Sequence, residues 1–190
     1  TLPGVTGAGG LQALIKGGVE VGGQRIVIAG TGPLLLATAA TARKAGAHVL
    51  RVAEHTPWHD LAVFAAQLVR WPAKALQATR LLHPGLRANT HVLEALGSTQ
   101  VEAVRLQRGS MTEELECDRI ACGFGLVPNT HLGQMLGCSL GERGGLQVDA
   151  LMQTTVPGVY AAGECTGFGG SERALVQGAM AGDAAAGHTE

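Results

Sequence analysis

Residues 25–37 read RIVIAGTGPLLLA, and this stretch decides the fold. The apolar run at residues 26–29 stops at a glycine pair, and a second apolar run follows directly. This pattern is typical of a buried strand, a tight turn and a helix, which together open a dinucleotide-binding βαβ unit. Gly30 permits a sharp turn, Gly32 lets a pyrophosphate approach the main chain, and Pro33 suits the first helical position. The stretch predicts an α/β fold around a parallel sheet.

One position departs from the G-x-G-x-x-G fingerprint. The third glycine would stand at position 35, where this chain has Leu35. That glycine normally permits close packing of the helix on the strand. We expect the leucine either to push the helix outward or to fill space that a nucleotide would use. The sequence therefore predicts the βαβ fold and a weakened nucleotide site.

An acidic residue follows the second predicted strand, residues 48–53. Glu54 stands 22 residues after Gly32, the spacing at which a carboxylate accepts the ribose hydroxyls of NAD and repels a 2′-phosphate. The next three residues supply no arginine for NADP. The alternative interpretation is a solvated carboxylate at the end of a strand.

The rest of the chain predicts two further arrangements. A helical period covers residues 58–83, and three short strands at about 91–96, 101–107 and 114–117 form an antiparallel meander. A buried strand at 119–123 follows. Residues 156–164 predict a strand that ends in glycine and a carboxylate, and Ser171 is a plausible N-cap for a helix from about 173 to 186.

Composition excludes several classes of protein. The 190 residues carry a net charge of −1, which gives no electrostatic case for nucleic acid or an anionic membrane. No apolar run reaches the length of a membrane span, and residues 1–20 show no signal peptide. The four cysteines form no C-x-x-C pair, which predicts reduced thiols in a cytoplasmic protein. We expect no metal site, because Pro57 separates His55 from His59.

The order of these motifs resembles one family. It is carried by Gly30-Thr31-Gly32-Pro33, Glu54, the meander, ACGFGLVPN at residues 121–129 and VYAAGE at residues 159–164. The chain looks like the flavoprotein oxidoreductases with two dinucleotide-binding domains, relatives of the pyridine nucleotide-disulfide oxidoreductases. Within them it most resembles subunits of opine oxidases, hydrogen cyanide synthase and amino-acid dehydrogenases.

The resemblance implies a Rossmann-like three-layer parallel sheet with a three-stranded meander, plus a partial second FAD-type domain. It implies a lead-in helix at 1–18, an inserted NAD(P)-binding-like domain at 19–119, and the returning segment of an FAD-binding domain at 120–190. The chain lacks a start methionine and the family's first G-x-G-x-x-G, so we expect a C-terminal fragment. The implied cofactor-binding residues are Gly30, Thr31, Gly32, Pro33, Glu54, Gly123, Gly163, Glu164 and Gly170.

The function implied for the intact protein is FAD-dependent oxidation of a C–N bond of an amino acid, opine or amine by hydride transfer to flavin. The implied partners are a small-molecule substrate and a second flavoprotein subunit or a homo-oligomer. NAD binding is a possibility that Leu35 weakens. The alternatives are an NAD-binding module and a degenerate nucleotide-binding domain that serves as scaffold or subunit interface. No side chain is assigned a catalytic role, because lone histidines such as His131 and His188 are more often structural.

Overall fold

A computed structural model describes residues 2–67, 70, 76, 79 and 82–188. The chain divides into two compact units, Thr1–Gly125 and Leu126–Glu190. The elements of the first unit are β1 (Val5–Gly7), α1 (Ala8–Lys16), β2 (Arg25–Gly30), α2 (Leu34–Lys44), β3 (His48–Glu54), α3 (Trp58–Gln67), β4 (Leu86–Arg87), β5 (Thr90–Leu96), β6 (Ala103–Arg108), β7 (Met111–Glu116) and β8 (Arg119–Gly123).

The first unit is built on two sheets. Five parallel strands lie in the order β1-β8-β2-β3-β4, and β5-β6-β7 form a separate antiparallel sheet. Because all five strands of the first sheet run the same way, their carboxyl ends share one edge. Gly30 pairs there with Gly123 on one side and with Glu54 on the other.

The central strand β2 alternates its side chains between two cores, as a strand buried on both faces must. Ile26 and Ile28 pack on one face with Leu11 of α1 and Leu35 of α2. On the other face, Val27 joins the second core, which the meander and its flanking residues complete with Val101, Val104, Leu106 and Cys117. The layers are therefore helices, parallel sheet and meander, as the sequence predicts.

The second unit has less regular structure. It contains α4 (His131–Met135), a 3₁₀ turn (Gly163–Thr166) and α5 (Gly170–Ala185). Its core consists of Cys138, Leu146 and Ala161, with four partly buried side chains against them.

The structure corrects two predictions in the second unit. Residues 156–164 do not form a strand: Tyr160 makes one isolated bridge to Gln153, and the segment then enters the 3₁₀ turn. The physical reason is that, among the described residues of this unit, no parallel strand lies beside the segment to form hydrogen bonds with its backbone. Ser171 is not an N-cap either, because α5 begins at Gly170 and Gly169 occupies the cap position.

The helix predicted from residue 58 begins at Trp58, and α3 ends at Gln67. Most of the second half of that prediction, around residues 71–81, lies outside the described residues. Within the part of the chain that the structure describes, no helix is both long and apolar enough to cross a bilayer.

Candidate functional site

The turn after β2 lies at the carboxyl edge of the parallel sheet, against the end of β8. A Cβ atom on Gly30 would stand 2.0 Å from the carbonyl oxygen of Gly123, and Gly30 has a φ of +145°. The backbone N–H of Thr31 donates to that same oxygen at 2.8 Å. Glycine at position 30 is therefore required by close approach to β8 as well as by the turn.

Gly32 faces open space. Its φ is +92°, and no heavy atom lies within 4 Å of where a Cβ would be. Its N–H donates to Oε2 of Glu54 at 2.9 Å, so this donor already has an acceptor within the protein. Pro33 follows with helical dihedral angles and occupies the N-cap position of α2.

Glu54 is 4% exposed, although it ends a strand. Oε2 accepts the Gly32 N–H, and Oε1 accepts the N–H of Thr56 at 2.9 Å. The hydroxyls of Thr31 and Thr56 lie 2.8 Å apart and link the segments that follow the two strands. Each carboxylate oxygen keeps a lone pair, so Glu54 can still accept hydrogen bonds from a ligand. The solvated carboxylate considered from the sequence does not describe this buried group.

A cavity of about 660 Å³ opens beside this carboxylate. Its wall is mostly apolar, and among the described lining residues the charged ones are Glu54 and Asp60. The described lining comprises Gly32, Pro33, Leu35, Leu36, Val52, Glu54, Thr56, Trp58, Asp60, Leu61, Ala62, Phe64, Ala65, Thr79, Leu82 and Leu86. Apolar walls with a few convergent polar groups are typical of small-molecule sites.

Leu35 packs in the core on the helical face of the sheet and is 1% exposed. Its Cδ2 atom lies 3.1 Å from where a Cβ on Gly123 would be, and the Cβ of Ala8 lies at the same distance from that point. The glycine that the fingerprint lacks on α2 is thus present on β8, directly opposite the leucine. The resemblance implied a cofactor-binding role for Gly123, and this packing role was missed.

The other predicted site residues belong to the second unit. Gly163 begins the 3₁₀ turn with a φ of +82°, and Glu164 is exposed. Gln177, a buried residue of α5, accepts the Gly163 N–H at 3.0 Å. The Thr166 hydroxyl donates to the Gly163 carbonyl oxygen at 2.8 Å and lies 3.3 Å from the same Gln177 oxygen. Gly170, with a φ of +79°, is the first residue of α5. Nothing in the sequence pointed to Gln177, because a single glutamine in a helix follows no motif.

The four cysteines are all free thiols. Burial raises the pKa of Cys117 to about 11 and raises the pKa of Cys122 as well. These two thiols are poorly suited to redox catalysis, since the thiolate is the reactive form.

Comparison with known protein families identifies the family of this chain. Residues 4–183 match the model of the family described as pyridine nucleotide-disulphide oxidoreductase. The chain belongs to this family, whose members use flavin and nicotinamide dinucleotides.

Two relatives are similar to this chain over 95% of its length. The chain is 31% identical to one of the subunits of opine oxidase from Rhizobium meliloti (strain 1021), over 95% of this chain and 43% of the relative. It is 31% identical to the HcnB subunit of hydrogen cyanide synthase from Pseudomonas protegens, over 95% of this chain and 42% of that protein. The chain therefore spans about two fifths of the length of these relatives.

One solved structure has a similar fold. Thioredoxin reductase of Lactococcus lactis matches with a TM-score of 0.67 at 17% identity, over 98% of this chain and 58% of that chain. At this identity the match concerns the fold alone.

Proposed function

We propose that this chain is the dinucleotide-binding part of an FAD-dependent oxidoreductase that takes a hydride from a C–N bond of an amino acid, opine or related amine. The family supports the flavin, and the similarity to an opine oxidase subunit over 95% of the chain supports the substrate class. The observation that carries the dinucleotide assignment is the buried Glu54 carboxylate beside the open Gly32 turn and the cavity.

For the flavin, the relevant residues of this chain are in the second unit. When bound, FAD accepts the hydride, while the protein binds and orients it. Glu164 is exposed on the 3₁₀ turn whose first N–H donates to Gln177, and we propose that its carboxylate accepts a ribityl hydroxyl. Gly163 begins this turn and Gly170 begins α5, so the backbone carries no side chain at either position.

For NAD, the pyrophosphate would approach Gly32, Glu54 would hold the adenosine ribose, and the apolar cavity would take the base. Two observations argue for weak binding. The Gly32 N–H, which a pyrophosphate would otherwise use, already donates to Glu54. Leu35 stands where the fingerprint has its third glycine and lines the cavity beside Glu54, so its side chain takes up room next to the turn.

For the whole protein, we propose that a second subunit is the partner and that the substrate is a small molecule. Both relatives are named as subunits. Four free thiols fit a reducing compartment, so we propose a cytoplasmic protein.

Thermal unfolding with and without dinucleotides tests the nucleotide assignment. We expect millimolar NAD to raise the melting temperature of the wild type, because only the native state binds the ligand. This rise should be lost in Glu54→Gln. NADP should give a smaller shift, and the exposed Glu20→Gln should behave as the wild type. Submicromolar NAD affinity would contradict the weakening by Leu35, and no shift with any dinucleotide would favour a scaffold.

The reaction is tested separately on the full-length protein. Anaerobic addition of an opine or amino acid should bleach its flavin absorbance. Bleaching by NADH alone, with none by any amine, would contradict C–N oxidation while leaving the dinucleotide site intact.

A further inference from the structure

Two histidines that are distant in sequence face each other beside the candidate nucleotide turn. His55 directly follows β3, and His91 is the second residue of β5. Their Nδ1 atoms lie 2.9 Å apart, and their rings are perpendicular with centroids 4.3 Å apart. A hydrogen bond at this distance needs a proton on the Nδ1 of one ring and none on the Nδ1 of the other.

The same arrangement suits a metal ion. Two metal–nitrogen bonds of about 2.0–2.1 Å that meet at a right angle place their nitrogens about 2.9 Å apart. A tetrahedral angle would require about 3.3 Å with the same bonds. Right angles are typical of square-planar and octahedral Cu²⁺ and Ni²⁺, and both ions favour imidazole nitrogen.

The backbone positions of both histidines are held by strand contacts. The N–H of His55 donates to the carbonyl oxygen of Gly30 at 2.7 Å, and His91 is paired with Gln107 in the meander. The ring of Phe124 stands edge-on to His55 with centroids 6.5 Å apart. A pair already held at the chelating distance loses little conformational freedom when an ion binds.

We propose that His55 and His91 form a bidentate site for a divalent 3d cation, Cu²⁺ or Ni²⁺. Among the described residues no group of three or more histidine, cysteine or carboxylate side chains could hold a metal, so water completes the coordination. Binding requires both rings to carry their proton on Nε2. The Nδ1 proton of one ring therefore moves to Nε2 of that ring through water, and no net proton is released. The site is independent of the proposed function, because it uses neither Gly32 nor Glu54.

Titration of the untagged, EDTA-treated chain with NiCl₂ or CuCl₂ tests the site. Isothermal calorimetry at pH 8 should give one site per chain in the micromolar range, with Cu²⁺ bound more tightly than Ni²⁺. His55→Gln and His91→Gln should each weaken binding at least tenfold. The matched control is His59→Gln, since His59 is exposed and contacts Asp60 instead, and it should bind as the wild type.

A measurement on the wild type alone guards against variants that fail to fold. In NMR spectra, substoichiometric Ni²⁺ should broaden the imidazole resonances of His55 and His91 before those of the other five histidines. Unchanged affinity in both variants, equal broadening of all histidines, or no binding at 1 mM metal would each overturn the proposal.

Discussion

At the scale of single residues, the most informative contact joins Leu35 and Gly123. The fingerprint places a glycine on the helix so that helix and strand can approach each other. In this protein the helix carries the large residue and the strand carries the glycine. The two positions lie 88 residues apart, so the sequence alone shows a missing glycine and no sign of its counterpart. The glycine on the strand leaves room for the leucine on the helix, which is 1% exposed.

This contact predicts non-additive stabilities. Leu35→Ala should lower the free energy of unfolding by about 2–5 kcal/mol, because it removes a fully buried side chain. Gly123→Ala adds a methyl that meets Leu35, so its effect should be more favourable in the Leu35→Ala background than in the wild type. Urea unfolding of the four proteins gives the coupling energy. If the two effects add to within about 0.3–0.5 kcal/mol, the prediction that Gly123 makes room for Leu35 is wrong.

Cys117 predicts a pH dependence. Burial raises the thiol pKa from 9.0 to about 11, so between these values the native state holds a proton that the unfolded state has lost. The contribution to stability is complete below pH 9 and decreases as the pH rises through 11. Wild-type stability, measured by urea midpoints, should therefore respond to pH between about 9 and 11 with a different slope from that of Cys117→Ala. Parallel slopes in the two proteins would contradict this origin.

At the scale of elements, the sequence predicts best where a local pattern decides. The alternation of Ile26, Val27 and Ile28 between two cores and the three strands of the meander follow from side-chain period and turn residues. The predicted strand at 156–164 failed because a parallel strand needs neighbours that no local pattern supplies. The same limit applies to the pair His55 and His91, whereas sequence spacing had directed attention to His55 and His59.

The hydrogen bond that Gln177 accepts predicts a local effect. In Gln177→Ala, the N–H of Gly163 loses its acceptor, while the hydroxyl of Thr166 keeps the Gly163 carbonyl oxygen at 2.8 Å. We expect a loss of about 1 kcal/mol, typical of one hydrogen bond, and faster exchange of the Gly163 amide in hydrogen-exchange mass spectrometry. Asp183→Ala, at an exposed position of the same helix, should leave that exchange unchanged. Equal protection in Gln177→Ala would show that the turn holds without this acceptor.

At the scale of the whole molecule, the two units differ in how much they bury. The first has a core on each face of its sheet, whereas the second rests on a few buried side chains. The second unit also leaves large apolar side chains in solvent, with Val127 90%, Met135 83% and Leu175 75% exposed.

Separate cores predict separate responses to core truncation. Leu146 is the largest buried residue of the core of the second unit. It packs on Gly133, since a Cβ added to that glycine would stand 2.5 Å from Leu146 Cδ2. Leu146→Ala should therefore raise amide exchange across residues 138–161 and leave β2 and β3 protected. Ile28→Ala should do the reverse, because Ile28 is fully buried in the first unit and each truncation costs about 2–5 kcal/mol where it occurs. Hydrogen-exchange mass spectrometry of both variants resolves the two segments. If Leu146→Ala also lowered protection in residues 25–54, the chain would unfold as one cooperative body, and the division into two units would carry no thermodynamic meaning.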